Sequence, residues 1–344
     1  MMIYKYYGDD SIYSIAVAEE GLPLVAVLED MAQTLGYRLP VMSSAEFEAN
    51  SDANILEDIN SLDGAETAGV LVMADAEENS FLAIKAESEE AAERIRDIIE
   101  KNSRAIIEGE SIGGAIPLDE ELAVAQRKVY LEDYSKREKE NVLTEERPFP
   151  LAAEAVVDLS ESLMSLGYLK GTRGNLSLRF GKNNMLITPS GRSYIGMTGA
   201  DIVKVNIETC EWEGDLIPSS EKDLHRLIFQ AFPEARVIIH THGPNSSVFA
   251  AARTPLELTG GLQWGEEDEE AEAKTYEGIL PIADFAPAGT MELAENVVKA
   301  MKTPGAIRGA LMSNHGLVCF GEDITDAFDL CRSIEEEAER TLNV

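Results

Sequence analysis

Histidine is the residue type whose placement first points to chemistry in this chain. The sequence has four histidines, and two of them form His240-Thr241-His242 directly after a β-branched run that favours a strand. Residues two apart on a strand point to the same face, so both imidazoles can reach one point. Together with His315 they would make a metal site with one open coordination position, as catalytic zinc sites have. The alternative is that the pair consists of ordinary surface or core histidines.

A serine pair followed by an acid is the second candidate. Pro218-Ser219-Ser220-Glu221 is predicted to open a helix that runs through Phe232. The N–H groups of a first helical turn, together with two hydroxyls, suit a phosphate or a carboxylate. Glu221 could move a proton on or off carbon beside a metal-bound substrate. The alternative is a plain helix cap with an acid that suits the helix dipole.

Further polar positions lie in the same part of the chain. His225 shares a helix face with Glu221, four residues away. We expect it to support the site, through the glutamate or a neighbouring strand, rather than to bind metal. Asn175 and Ser177 form a polar pair on one strand face and need partners or a ligand. The polar turn Thr188–Gly191 follows an apolar strand, and both features are also compatible with ordinary β-turn chemistry.

Helices and strands of the C-terminal part must position these groups. Apolar residues at helical spacing predict a helix over 152–166 that ends at Gly167, and a last helix from about Thr325. β-rich runs predict strands at 175–180, 185–188, 235–242, 306–313 and 318–321.

Charge and proline mark a domain boundary. Residues 126–150 are dense in charges of both signs and end in Arg147-Pro148-Phe149-Pro150, which breaks any helix. We therefore predict a charged linker over 126–150, between an accessory domain over 1–125 and a catalytic domain over 151–344.

The accessory part shows a strand–strand–helix pattern twice, which predicts a small α+β domain. The strand and helix candidates are Ile3–Tyr7, Ile12–Val17, Leu22–Leu35, Gly69–Met73, Phe81–Ile84 and Glu87–Lys101. No catalytic constellation and no histidine precede residue 150.

Composition excludes several classes of function. A net charge of −34 over 344 residues argues against a nucleic-acid partner, because phosphate backbones need a basic surface. No segment approaches the roughly 18 uninterrupted apolar residues of a membrane span, and the N-terminus lacks the form of a secretion signal. Three cysteines exclude a disulfide framework and favour a reducing cytosol. We expect a cytoplasmic protein with no membrane and no nucleic-acid partner.

The motifs taken together, in this order, are more specific than any one of them. Residues 151–344 resemble the class II aldolase/adducin family. The matching segments are Gly174–Ser177, Ile187–Gly191, Pro218–Glu221, His240–His242 and Asn314–Gly316, with Met197-Thr198, Asp201–Val203 and Glu213–Asp215 beside them.

The resemblance implies a fold, a metal and a set of roles. The fold is an α/β/α layered domain around a central, mainly antiparallel sheet, assembled as a homotetramer. The metal is Zn²⁺, although three histidines also accept other divalent transition metals. The implied metal ligands are His240, His242 and His315, and the implied acid/base is Glu221. The implied phosphate-binding residues are Asn175, Thr188, Gly191, Ser219 and Ser220.

The implied activity is zinc-dependent cleavage of a phosphorylated ketose of the L-fuculose 1-phosphate type to dihydroxyacetone phosphate and an aldehyde. The Ser-Ser-Glu form favours this over a phosphosugar epimerase, dehydratase or decarboxylase on the same metal site. A non-catalytic ligand-sensing protein is a third alternative, although adducin-type members lack the metal histidines that this chain keeps. The family often completes its site with an aromatic residue of a neighbouring subunit, for which Trp264, Tyr276 and Phe285 are candidates.

Overall fold

The computed structural model describes residues 2–7, 24–39, 70–74, 80–134, 150–260 and 275–343. They form two compact units, which divide between Glu132 and Asp133. The division falls inside the segment 126–150 that the sequence predicts as a linker. The first residues of that segment continue a helix, and residues 135–149 lie outside the described residues.

The N-terminal unit is a small α+β structure. Its described strands are β1 (Met2–Tyr7), β2 (Leu24–Val25), β3 (Arg38–Leu39), β4 (Val70–Ala74) and β5 (Ser80–Ala86), and its described helices are α1 (Glu29–Leu35), α2 (Glu89–Gly109) and α3 (Glu120–Val129). Strands β1, β5 and β4 form an antiparallel sheet in that order, and β2 pairs with β3. The strand predicted at Ile12–Val17 lies outside the described residues.

The helix predicted over Leu22–Leu35 is wrong in its first half. Leu24–Val25 is a strand, and the helix begins only at Glu29. The reason is the buried side chain of Asn102, whose Oδ1 accepts from the N–H groups of Val27 and Leu28 at 2.9 and 3.1 Å. Its Nδ2 donates to the carbonyl of Val25 at 3.0 Å. A distant side chain therefore satisfies backbone groups that a helix would otherwise have used.

The C-terminal unit contains the elements that carry the candidate site. Its described strands are β6 (Asn175–Phe180), β7 (Asn184–Ile187), β8 (Val203–Asn206), β9 (Val237–Thr241), β10 (Leu256–Thr259), β11 (Glu277–Leu280), β12 (Ile282–Ala283), β13 (Gly309–Met312) and β14 (Gly316–Gly321). Its described helices are α4 (Leu151–Ser165), α5 (Lys222–Ala231), α6 (Ser246–Ala252), α7 (Met291–Met301) and α8 (Ile324–Leu342).

Seven of these strands form one sheet in the order β12-β13-β14-β9-β6-β7-β8. Only the β12–β13 pair is parallel. Helices α5 and α7 pack together on one face, over a core that includes Ile238, Val318 and Phe320. The alternate residues of the same strands face α4 and α8 on the other side. This layered α/β/α arrangement confirms the predicted fold class.

The register of the central strands brings the polar residues to one end of the sheet. Asn175 at the start of β6 lies opposite His240 near the end of β9, and His240 lies opposite Val318 on β14. The serine pair precedes α5 rather than forming part of it, and Glu221 is the N-cap residue. Among the described residues, no helix combines the length and apolar character needed to cross a membrane.

Candidate active site

Three histidines meet at the end of β9. The Nε2 atoms of His240 and His242 are 3.1 Å apart, and each pair of rings among His240, His242 and His315 has its centroids 4.9 Å apart. One nitrogen of each ring lies within 4.8 Å of the other two. His240 and His315 are buried, and His242 is partly exposed.

The hydrogen bond of His240 fixes which nitrogen faces the cluster. Its Nδ1 lies 2.8 Å from the carbonyl oxygen of Leu317. A carbonyl only accepts, so Nδ1 carries the proton and Nε2 presents a lone pair to the other two rings. Zinc holds imidazole nitrogens at about 2.0–2.1 Å, which separates tetrahedral ligands by about 3.4 Å. The donor set and its spacing therefore fit a divalent transition-metal ion.

The turn that presents His315 is a tight one between β13 and β14. Asn314 has a φ of 59°, in the left-handed region that asparagine tolerates better than most residues. Its Oδ1 accepts from Nε and Nη2 of Arg253 at 3.0 and 2.8 Å. At Gly316 a Cβ would collide with the carbonyl of Thr241, so glycine lets β14 lie close against β9.

Glu221 is the acid beside this cluster. Its Oε2 lies 3.1 Å from Nε2 of His240, and its Oε1 lies 3.6 Å from Nε2 of His315. Burial raises the pKa of Glu221. When the facing imidazoles of His240 and His315 are protonated on both nitrogens, their positive charge, together with hydrogen bonds from His240 and from Asn175, outweighs burial and holds that pKa well below its usual range. The group is therefore an anionic carboxylate, able to accept a proton.

A chain of buried hydrogen bonds leads away from Glu221. Asn175 Nδ2 donates to Glu221 Oε2 at 2.7 Å. Asn175 Oδ1 can only accept, so the partner Nε2 of His225, 2.5 Å away, carries a proton. Nδ1 of His225 then accepts from the hydroxyl of Ser177 at 2.6 Å. The polar pair on β6 and the histidine on α5 thus orient the amide that holds Glu221.

His225 supports this chain in the neutral form. Burial lowers its pKa most, positive charge on His240 lowers it further, and Glu221 raises it; the pKa is about 3 instead of 6.5. Its ring contacts β6 rather than the glutamate. Of the two contacts that the sequence left open, the structure shows the one to the neighbouring strand.

The free energy of unfolding is therefore expected to fall as the pH drops below 6.5. In the unfolded chain a histidine binds a proton below pH 6.5, whereas folded His225 resists protonation down to about pH 3. Stability then decreases by about 2 kcal/mol between pH 7 and pH 5. The His225→Gln variant should show a smaller decrease in its denaturation midpoint over that range. Equal decreases in the two proteins would contradict a buried neutral His225.

Most of the residues expected to bind phosphate lie together before α5. The backbone N–H of Ser219 donates to the carbonyl of Thr188 at 3.0 Å, which joins the serine pair to the turn 188–191. The Ser219 hydroxyl oxygen accepts from the N–H of Glu221 at 3.2 Å and keeps its own proton to donate. Gly191 has a φ of 67°, which the turn needs and glycine adopts without strain. Asn175 differs, because its amide is directed to Glu221.

The three aromatic residues expected to complete the site of a neighbouring subunit differ in their surroundings. Tyr276 is engaged within its own chain, where its hydroxyl donates to Oδ1 of Asp326 at 3.1 Å. Phe285 is half-buried, and Trp264 lies outside the described residues.

Two groups that lie next to the histidine cluster or the loop after it were not identified from the sequence. The Leu317 carbonyl carries no sequence signal, because any residue at that position offers one. Glu335 carries a signal, since it interrupts the buried apolar stripe of α8 that contains Leu330, Ile334 and Ala338. An acid in the middle of such a stripe needs a buried partner.

Comparison with known proteins finds relatives that are named as phosphosugar aldolases. The family model described as "Class II Aldolase and Adducin N-terminal domain" matches residues 154–342. The chain is 32% identical over 185 residues to a 5-methylthioribulose-1-phosphate/5-deoxyribulose-1-phosphate aldolase of Rhodospirillum rubrum. The aligned region covers 54% of this chain and 77% of that protein. The chain is 29% identical over 189 residues to an L-fuculose phosphate aldolase of Methanocaldococcus jannaschii, covering 54% and 93%. A solved structure of L-fuculose 1-phosphate aldolase superposes with a TM-score of 0.47 and 29% identity, covering 55% of this chain and 83% of that one.

Proposed function

Over residues 154–342 the chain belongs to the class II aldolase and adducin family, and from this we propose the reaction it catalyses. It is a lyase: a zinc-dependent aldolase that cleaves a phosphorylated ketose 1-phosphate to dihydroxyacetone phosphate and an aldehyde. The aldolases of Rhodospirillum rubrum and Methanocaldococcus jannaschii support this class of substrate. The observation that carries the proposal is the meeting of three imidazoles with the carboxylate of Glu221.

The residues of the site have different roles in an aldol cleavage. His240, His242 and His315 would hold the ion. A divalent cation there supplies Lewis-acid stabilisation of negative charge on substrate oxygens. In cleavage the hydroxyl at C4 gives up its proton to the carboxylate of Glu221, directly or through water, the bond between C3 and C4 breaks, and C4 becomes the aldehyde. The electron pair stays on C3, which takes the proton from the carboxyl group that Glu221 has become.

The resting charge of Glu221 fits the reverse direction as well. The carboxylate faces the cluster through both of its oxygens and can remove a proton from C3 of dihydroxyacetone phosphate. Asn175, held by His225, donates to that carboxylate and keeps it directed at the cluster. The same group therefore serves both directions, as microscopic reversibility requires.

The start of α5 is the place for the phosphate. The hydroxyls of Ser219 and Ser220 offer donors to an anion, and the helix dipole favours negative charge there. Thr188 lies on the other side of the same contact, and Gly191 belongs to the turn that follows it. Anchoring the phosphate uses binding energy to place C3 beside Glu221. This local arrangement lets a strongly acidic chain bind an anionic substrate.

We further propose that the protein is a cytoplasmic homotetramer and that residues 1–125 form an accessory domain with a regulatory or interaction role. Sedimentation at micromolar concentration tests the assembly. A tetramer is expected, and a monomer at that concentration would contradict it.

Release of dihydroxyacetone phosphate from a panel of ketose 1-phosphates tests the function. The panel contains the 1-phosphates of L-fuculose, L-rhamnulose, ribulose, xylulose, 5-deoxyribulose and 5-methylthioribulose. Zinc-loaded protein should release the triose phosphate from at least one of them, and a chelator should abolish the release. Bound zinc without release from any member would contradict the aldolase, and turnover without triose phosphate would indicate an epimerase, dehydratase or decarboxylase.

A further inference from the structure

We propose that Glu335 is a positioning residue for the metal site, which acts by fixing the loop that follows His242. The inference deepens the proposed function, but it rests on the histidine cluster alone and not on the identity of the substrate. Glu335 lies on α8, and its side chain is fully buried. No sequence motif of the family resemblance includes it.

The carboxylate of Glu335 holds the loop by its backbone. Its Oε2 accepts from the N–H groups of Asn245 and Ser246 at 3.0 and 3.3 Å. The side chain of Asn245 in turn donates from Nδ2 to the backbone carbonyl of Glu335 at 3.3 Å. Three hydrogen bonds therefore join one turn of α8 to the start of α6, where the first N–H groups of a helix lack intrahelical partners.

Gly243 shows how close this contact is. The residue directly follows His242, and a Cβ placed on it would overlap the carboxylate of Glu335. Glycine is required here by the space that the carboxylate fills, not by backbone conformation. The glutamate and the glycine form one fitted contact next to a proposed metal ligand.

His242 needs such support more than His240 does. His240 lies within β9, paired with Asn175 and Val318 on its two sides, and its Nδ1 is tied to the Leu317 carbonyl. His242 lies beyond the end of β9 at Thr241, and its ring is partly exposed. The strand ladder does not extend to it, so the loop from Gly243 sets its direction.

The burial of the charged carboxylate of Glu335 also favours a role in the metal site. A carboxylate in an apolar stripe costs free energy unless hydrogen bonds compensate it. Packing alone would be satisfied by an apolar side chain at this position of α8. The two N–H donors of the loop compensate the negative charge of Glu335. The same hydrogen bonds hold the loop in one conformation.

The Glu335→Gln variant tests the proposal, with Glu339→Gln as the matched control on the exposed side of the same helix. Metal affinity is measured on the full chain by competition with a chromophoric chelator. Loss of the hydrogen-bond partner of a metal ligand typically lowers metal affinity about 10–100-fold. Glu335 acts through the loop rather than on the ligand itself, so we expect a decrease of about 10-fold for Glu335→Gln and none for Glu339→Gln. The visible absorption of the cobalt-loaded protein should also change only in Glu335→Gln.

A folded Glu335→Gln protein with unchanged affinity and an unchanged cobalt spectrum would overturn the proposal, even if it melts at a lower temperature. The loop gives a second test. Gly243→Ala should lower metal affinity, and the double variant Gly243→Ala/Glu335→Ala should bind more tightly than the product of the two single losses implies. Strictly additive losses would show that the two residues act separately. These readouts need no substrate, so they stand apart from the test of the aldolase reaction.

Discussion

Replacing Glu221 by glutamine is expected to lower kcat by about 10³-fold while the protein keeps its metal. Positioned acid–base groups contribute about 10²–10⁴-fold to a rate. Among the described residues, no other carboxylate lies beside the histidine cluster to transfer the proton to C3. Glutamine keeps the shape of the side chain and an oxygen that can accept from Asn175. The three imidazoles remain, so metal content should stay at one ion per chain.

Kinetics and metal analysis of the same preparation check this expectation. Glu234→Gln, which changes an exposed glutamate just after α5, is the matched control and should leave kcat unchanged. Retention of wild-type turnover by Glu221→Gln would remove Glu221 from the proton transfer. Loss of metal together with turnover would assign the carboxylate to ligation instead.

Replacing His240 by alanine is expected to abolish both metal binding and turnover. The side chain is fully buried at the end of β9, and its Nε2 lies 3.1 Å from that of His242. Two imidazoles do not retain zinc against a competing chelator as three do. Removal of the buried ring also leaves a cavity and an unpaired Leu317 carbonyl, so the protein should melt at a lower temperature.

Equilibrium dialysis against a zinc buffer separates these effects. His225→Ala is the matched control, because it removes a buried histidine of the same region that lies outside the cluster. That variant should lose activity but keep one ion per chain. Full zinc occupancy in folded His240→Ala would mean that the ligands lie elsewhere in the chain.

The parts of the site that the sequence predicted are those that depend on neighbours along the chain. His240 and His242 could be placed on one face because strand periodicity is local, and Ser219 could be placed before a helix for the same reason. The pairing of Asn175 with His240 depends on the register of two strands far apart in the sequence, which no local pattern determines. The hydrogen bonds of His225 follow from that register and were left open for this reason.

Two buried polar side chains elsewhere in the molecule also form contacts over a long sequence distance, which local patterns do not predict. Asn102 determines that the segment before α1 is extended, although the apolar spacing of that segment is helical. Glu335 fixes the loop after His242 from a helix close to the C-terminal end of the described residues. In both cases a side chain from a distant element provides the hydrogen bonds of a backbone segment, and its effect is visible only once the chain has folded.

We propose that Glu221, beside a metal held by three imidazoles, exchanges a proton with C3 of dihydroxyacetone phosphate. Incubation of the zinc-loaded protein with dihydroxyacetone phosphate in D₂O, followed by proton NMR, measures that step without any knowledge of the aldehyde. We expect one of the two C3 hydrogens to exchange with solvent, and we expect the exchange to disappear in Glu221→Gln and after chelation. Exchange that persists in Glu221→Gln, or its absence with the metal-loaded wild-type protein, would contradict proton transfer by Glu221 at a metal-bound substrate.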